Sequence, residues 1–600
     1  GWNDVGFHGS DQIPTPNIDA LAYNGIILNQ HYTPALCSPS RSALLTGKYP
    51  IHTGMQHLVI LEDEPWGLGL EEKLLPEVLA RKGYRNHAIG KWHLGFFRKE
   101  YTPTYRGFHS HFGYWQGFQD YYNHSVSATM VPYDGYDMRR GLDVDWSAVG
   151  HYSTDLFTRE AVKLIREHDT RQPMFLYMAH LAPHTGNVRD PFQAPDSLVA
   201  KFAHIADPER RVYAAMVSKL DESVGEVVAA LRARSMLDNS VVIFMSDNGA
   251  PTHGIHSNRG SNYPLRGIKN SGWEGGVRGI AAVWSPLFKQ KQTVSNQLMY
   301  ITDWMPTLCS AAGLDVKDLG EIDGIDMWEA LVNGGASPRK EFVYNIDDID
   351  NPYAAIRSGD WKYIVGSATG ERNNEWYGES GSDAGIVFSP QSVMMSKAGA
   401  AISAFLIKQQ IQEKIRRAAS PNSVVEEKDI RDWRLLNETT MLTLRQQAEL
   451  SCQQNVTEVE CRPLVAPCLF NLRDDPCERV NLAASNPTVV ADMEQLLSKY
   501  RSTVVPAKNV PGEESANPIY WNNTWSCWHD EMERRDDFLH SDYFVPLVAA
   551  VVLVAVVLAM LLLTPRHFFE NQIVPDSPKT ISVFTLEHAT ENEKKRKGKQ

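Results

Sequence analysis

The segment Cys37-Ser38-Pro39-Ser40-Arg41 is the densest concentration of potential chemistry in the chain. Proline suits the first turn of a helix and serine suits its cap. Cys37 is therefore expected at a helix N-terminus, where the dipole favours a thiolate or an oxyanion. A buried or disulfide-bonded cysteine is the alternative this segment leaves open. Three further segments carry complementary groups: Gly90-Lys91-Trp92-His93, His180 with Ala182-Pro183-His184, and Asp247-Asn248-Gly249. Singly they read as solvated loop residues and an ordinary turn. Together they offer a lysine to neutralise charge, imidazoles for proton transfer and an oxygen-donor pair suited to Ca²⁺ or Mg²⁺. That combination is a site for an oxyanion.

The elements that must position these groups follow from the apolar pattern. Pro173–Ala179 and Ser240–Ser246 read as strands, with weaker candidates at Gly25–Leu28 and Arg85–Ile89. Residues 209–234 place Val212, Met216, Leu220, Val224, Val227, Val228 and Leu231 at helical spacing. This alternation predicts an α/β domain over 1–335, a mostly parallel sheet flanked by helices. Ligands in such sheets bind beyond the C-terminal ends of the strands, where Lys91, His184, Asp247 and Asn248 fall. Residues 336–502 predict a smaller α+β domain, and 503–543 a linker.

The run 544–563 is apolar and without a charge, and at roughly 30 Å in helical form it matches a bilayer core. Arg566, His567 and the run Lys594, Lys595, Arg596, Lys597 and Lys599 lie after it. This predicts one transmembrane helix, a cytoplasmic tail 564–600 and a lumenal or extracellular remainder. The predicted protein is a single-pass type I membrane protein of the secretory pathway, in a lysosome or at the cell surface. Asn123, Asn437, Asn455 and Asn522 head glycosylation triplets on the lumenal side. Cys452, Cys461, Cys468, Cys477 and Cys527 crowd together as a disulfide cluster would, and the odd total of 7 leaves a thiol unpaired, taken to be Cys37. The net charge of −13, with no basic stripe in the globular part, excludes a nucleic-acid partner.

Cys37-Ser38-Pro39-Ser40-Arg41 followed by Leu45-Thr46-Gly47 resembles the signature of the sulfatase family, in particular of sulfatases of the arylsulfatase B type. Gly1–Gly9, Thr15–Asp19, Gly90–Gly95, Leu265–Lys269 and Trp273–Gly276 resemble the same family, so that the likeness spans roughly residues 1–500. The resemblance implies an alkaline-phosphatase-like fold and oxidation of Cys37 to formylglycine by the formylglycine-generating enzyme. It further implies that Arg41 and His93 hold the hydrated aldehyde, that Lys91 and Lys269 bind sulfate oxygens, and that His184 faces the leaving oxygen. Asp247, Asn248 and residue 37 would be ligands of one Ca²⁺. The implied substrate is a sulfated glycan, with N-acetylgalactosamine 4-sulfate of chondroitin or dermatan sulfate foremost. The family's consecutive Asp pair would precede Gly1, so the chain is expected to lack its N-terminus and to be inactive as written. The competing readings are a phosphate-ester hydrolase of the same superfamily and a non-catalytic membrane glycan-binding protein.

Overall fold

The computed structural model describes every residue except 255, 371, 382–384, 420–432, 453–455, 540–543 and 564–600. Asn455 and the tail 564–600, both singled out in the sequence, lie outside the described residues. Residues 1–532 form one compact unit and 533–600 a second.

Two sheets of the first unit carry the strand ends singled out in the sequence. In one, Arg85–Lys91 runs parallel to Ser110–Tyr114 on one side and to Met174–Ala179 on the other. In the second, Val242–Met245 pairs antiparallel with Ala281–Trp284, which pairs antiparallel with Ile26–Leu28. The expected mostly parallel sheet is thus mixed. The reason is local: a parallel return needs a crossover of a dozen or more residues, usually a helix. Among the described residues between Met245 and Ala281 the one helix is the short Glu274–Val277, so the chain stays at one end and comes back antiparallel.

Met174–Ala179 and Val242–Met245 are each paired on one side only, and their apolar side chains are half-buried. A cavity of about 510 Å³ is lined by both strands and by Val217, Leu220, Val224 and Val227 of the helix Pro208–Ala233. That helix holds the spacing expected from the sequence. It packs against Ser153–Glu167, whose apolar face buries Phe157, Ala161 and Ile165.

An antiparallel sheet of Glu341–Asp347, Tyr353–Ser358, Trp361–Gly366 and Cys468–Asn471 carries the helix Pro487–Arg501 on one face, through Met493 and Leu497. The helix Lys397–Ala419 lies elsewhere: Ala401, Ile402 and Phe405 share a core with Leu21 and Val228. The stretch expected as a linker is packed over its first part, where Trp521, Trp525 and Trp528 are buried with Phe96 and Trp115. Its tryptophans bury too much apolar surface to stay in solvent.

Two disulfides form, Cys452–Cys477 and Cys461–Cys468. The expectation that Cys527 shares in that cluster is corrected: its thiol is free and buried, as are those of Cys37 and Cys309. Asn123, Asn437 and Asn522 are exposed, as glycan attachment requires. Among the described residues no helix is long and apolar enough to cross a membrane. The run itself forms the helix Phe544–Leu563.

Buried histidines set the acid response of the fold. Burial holds His8 and His31 down to about 3, and His87, His111, His124, His180 and His256 down to about 4. A depressed folded value means stability is lost as pH falls below the unfolded value of roughly 6.5. Burial raises Asp137 to about 6 and Asp221 to about 7, which acts in the opposite sense, adding stability as pH falls through those values. The histidines outnumber the carboxyls, so Tm is expected to fall between roughly pH 6.5 and pH 4. A Tm that rises steadily over that range in a thermal melt series would refute this balance.

Candidate active site

Cys37 is the first residue of the helix Cys37–Thr46, and Leu36 precedes it without a side-chain cap. The expected cap is corrected. Ser38 lies inside the helix, and its Oγ accepts from the Ile60 N–H at 3.3 Å. Arg41 follows Cys37 by four residues, which puts both on one face of the helix. Lys91 ends the strand Arg85–Lys91, and His93 follows two residues later at a φ of 59°. Few non-glycine residues adopt that left-handed backbone. Here it turns the imidazole back over Gly117, where a Cβ would stand 2.8 Å from His93 Cε1.

The predicted residues converge from four elements. Lys269 Nζ donates to Cys37 Sγ at 3.3 Å, and Cys37 Sγ donates to Asn248 Oδ1 at 3.5 Å. Arg41 reaches the Asp247 carboxylate at 2.9 Å and the Lys91 carbonyl at 3.0 Å. It also donates to the Tyr177 hydroxyl at 3.3 Å, a partner the sequence reading missed. Tyr177 sits in mid-strand, away from the strand ends where ligands of such sheets bind. Asp4 and Asp11 are engaged elsewhere, on Arg210 and Arg445 respectively, each at 2.7 Å. His180 turns away to Ser223, its Nε2 3.1 Å from the hydroxyl.

The electrostatics are those of an anion site. Burial raises the Cys37 thiol, but Lys269, Lys91 and Arg41 more than offset it and the net shift is downward. Burial likewise opposes Asp247, yet Arg41, Lys91 and Lys269 bring it down to about 2. Burial lowers Lys91 to about 8 against the raising effect of Cys37. His93 and His184 are both held well below the usual histidine value, by burial first and then by the neighbouring lysines. Three cations thus face one carboxylate at residue 37, and an anion would restore the balance.

The hydrogen bonds fix the imidazole tautomers. His93 Nε2 lies 2.9 Å from the Ile60 carbonyl, so Nε2 carries the proton and Nδ1, buried without a protein partner, is the acceptor. His184 Nδ1 lies 2.9 Å from the Thr185 carbonyl, which leaves its Nε2 as the acceptor while the ring is neutral.

A Ca²⁺ takes six to eight oxygens. Asp247 and Asn248 supply two side chains, and one Asp247 oxygen already meets Arg41. Among the described residues no group of three or more His, Cys, Asp or Glu could hold a metal. The donors present do not by themselves make a calcium site.

Residue 37 at a helix N-terminus among three cations, at the C-terminal ends of α/β strands, defines a hydrolase of anionic esters. The Sulfatase family model matches residues 1–314, and the chain belongs to the sulfatase family of sulfuric ester hydrolases. It is similar to arylsulfatase J of Mus musculus, 36% identical over 542 residues, covering 89% of this chain and 79% of that one. It is also similar to N-acetylgalactosamine-6-sulfatase of Sus scrofa, 34% identical over 369 residues, 57% of this chain and 66% of that one. Among solved structures, Ps i-CgsB in complex with k-i-k-neocarrahexaose matches 90% of this chain and 97% of its own at a TM-score of 0.60 and 24% identity. The PsFucS1 sulfatase from Pseudoalteromonas sp. matches 86% and 90% at 0.57 and 22%. At these identities the structures establish the fold.

Proposed function

We propose that this protein removes sulfate from a sulfated sugar, N-acetylgalactosamine 4-sulfate of chondroitin or dermatan sulfate foremost, as a sulfatase of the arylsulfatase B type. The observation that carries the reading is Cys37 Sγ at 3.3 Å from Lys269 Nζ, on the helix that presents Arg41 to Asp247. The sulfur stands in for an oxygen of formylglycine, made from Cys37 by the formylglycine-generating enzyme. As a hydrated aldehyde, that group supplies one hydroxyl to attack sulfur and a second through which sulfate is later released.

The chain's own residues do the rest. Lys91 and Lys269 neutralise the sulfate oxygens, and Arg41 orients residue 37. His93 Nδ1 is placed to accept a proton. His184 must carry two protons to donate at Nε2, because its Nδ1 proton is committed to the Thr185 carbonyl. Asp247 and Asn248 would be two oxygen ligands of a Ca²⁺ of the kind the family uses. We place the protein in the secretory pathway, with its catalytic unit lumenal or extracellular, in a lysosome or at the cell surface. The apolar helix Phe544–Leu563 would be its membrane anchor.

The test is mass spectrometry of the peptide ending at Arg41, from the full-length protein made in eukaryotic cells, with sulfate release measured on sulfated N-acetylgalactosamine. An aldehyde at residue 37 with sulfate release supports the reading. Sulfate release by protein carrying an unmodified thiol there, or an aldehyde without any release, overturns it.

One pH dependence follows. Lys91 loses its charge as pH rises through about 8, and with it one of the cations facing the sulfate. An aldehyde in place of the thiol removes a raising influence, so the limb falls at or below that value. We expect kcat/KM to drop above it, and Lys91→Arg to move the limb to higher pH. A profile that Lys91→Arg leaves unshifted would exclude Lys91 as its origin.

A further inference from the structure

Of the three cations at residue 37, Arg41 stands on a helix and Lys91 ends a strand, whereas Lys269 lies in neither. It is carried by the loop Leu265–Lys269, which is tied at its end to the reacting centre. The Lys269 N–H donates to the Ala250 carbonyl at 3.1 Å, and the Asn270 N–H donates to the Ala35 carbonyl at 3.0 Å. Ala250 follows Asn248 closely and Ala35 shortly precedes Cys37. A long side chain on a loop takes its place from whatever holds that loop.

The rest of the loop is held through Arg266, a residue only 7% exposed. Its guanidinium packs on two indoles, 3.8 Å from the ring centroid of Trp273 and 4.9 Å from that of Trp376. It donates to the Asn374 carbonyl at 2.5 Å and to the Glu478 carbonyl at 3.1 Å. The backbone joins in: the Arg266 carbonyl accepts from the Gly275 N–H at 2.6 Å, and the Gly267 N–H donates to the Glu375 carbonyl at 2.8 Å. Trp376 forms an antiparallel bridge with Arg266, and its Nε1 donates to the Cys477 carbonyl at 3.0 Å. Asn374 Oδ1 accepts from Trp273 Nε1 at 2.7 Å, so one residue fixes both the cation and a ring beneath it. A guanidinium has flat faces for rings and a planar fork of donors for carbonyls, and here both are used. None of these contacts is with residue 37, Lys91 or Arg41.

We propose that Arg266 is a positioning residue for the sulfatase reaction. Held by Trp273 and Trp376, it sets the loop that carries Lys269, and through it the place of the Lys269 ammonium 3.3 Å from residue 37. The proposal rests on the reading of Lys269 as a lysine that binds the sulfate oxygens. Charge stabilisation by a lysine depends on where its nitrogen stands when charge develops, so a small displacement of the loop costs binding of the sulfate group before it costs folding.

The test is a double-mutant cycle on the full-length protein, read by hydrolysis of nitrophenyl sulfate and by inhibition with inorganic sulfate. Trp376 is 37% exposed, so truncating it spares the core. We expect Trp376→Ala to lose roughly tenfold in kcat/KM, mainly through KM, with inhibition by sulfate weakened to a similar extent. Trp376→Phe keeps an aromatic face for the guanidinium and should stay within about threefold of wild type. When Lys269→Ala is already present, Trp376→Ala should cost less than about twofold, because its effect runs through Lys269. Arg266→Gln should follow the same pattern with a larger loss. A thermal melt checks its fold, and if it is unfolded the Trp376 variants decide. Trp376→Ala without loss, a loss of equal size in both backgrounds, or Trp376→Phe as slow as Trp376→Ala overturns the proposal. Lys269→Ala within about twofold of wild type overturns the reading of Lys269 and the proposal with it, and that single variant tells the two failures apart.

Discussion

Cys37→Ala is expected to lower sulfate release by at least about 10⁴-fold while leaving the protein folded. The geometry leaves no substitute nucleophile: among the described contacts of Lys269 Nζ the reacting position is residue 37 alone. Alanine is the strongest helix former and Cys37 is a small buried side chain at the first helical position, so the structural cost is slight. Cys37→Ser separates the two halves of the reaction. A serine hydroxyl can take up the sulfuryl group but has no second hydroxyl through which to release it. We expect a covalent sulfate ester at position 37 and turnover stopped after the first event. Steady-state sulfate release, with intact-mass measurement of the serine variant, reads both outcomes. Cys37→Ala protein with a tenth of wild-type activity would remove residue 37 from the chemistry altogether.

The largest effect on stability is expected from Lys362→Met. Lys362 is fully buried on the strand Trp361–Gly366, 2.9 Å from Glu274 and 2.8 Å from Glu478, neither of which is exposed. Glu274 also accepts from the Tyr32 hydroxyl at 2.8 Å and pairs with Arg278, while Glu478 accepts from the Glu274 N–H at 2.8 Å. Burial pushes Glu274 up, but Lys362, Arg278 and Arg357 more than offset it and hold it down. Burial raises Glu478 to about 7 against the pull of Lys362. Removing the ammonium leaves two adjacent buried carboxyls with less compensation. Breaking such a pair costs about 3–5 kcal/mol at neutral pH. With its partner gone, Glu478 protonates more readily, so the loss should shrink as pH falls towards roughly 5. Urea unfolding of wild type and variant at the two pH values measures it. A difference under about 1 kcal/mol at neutral pH would mean the network is not a determinant of stability.

The same network explains why Trp273-Glu274-Gly275-Gly276 stands out in the sequence without belonging to the reacting centre. Glu274 joins the loop that carries Lys269 to the C-terminal sheet. The segment Cys468–Ala483, read from sequence as part of a separate small domain, supplies Glu478 to that bond. The family resemblance marks Glu274, but not which strand, 88 residues away, brings the lysine.

Sequence alone determined the chemistry: a cysteine at a helix start with an arginine one turn on, and lysine, histidine and carboxylate–amide groups at strand ends. Those features are local. A proline in the first turn, a helical period and an apolar run ending in polar residues need only neighbours within one element. Tertiary structure decided what depends on contacts between distant segments. The second sheet turned out mixed because the return from Met245 to Ala281 has no long helix. Trp521, Trp525 and Trp528 made packed core of an expected linker, and Cys527 stayed a free thiol. Tyr177 on Arg41 and His256 beside His184 were likewise invisible, since each lies in a segment whose own pattern is unremarkable. Side-chain periodicity reports which face of an element is buried. It carries no information on what that face meets, and a site assembled from several strand ends is defined by that meeting.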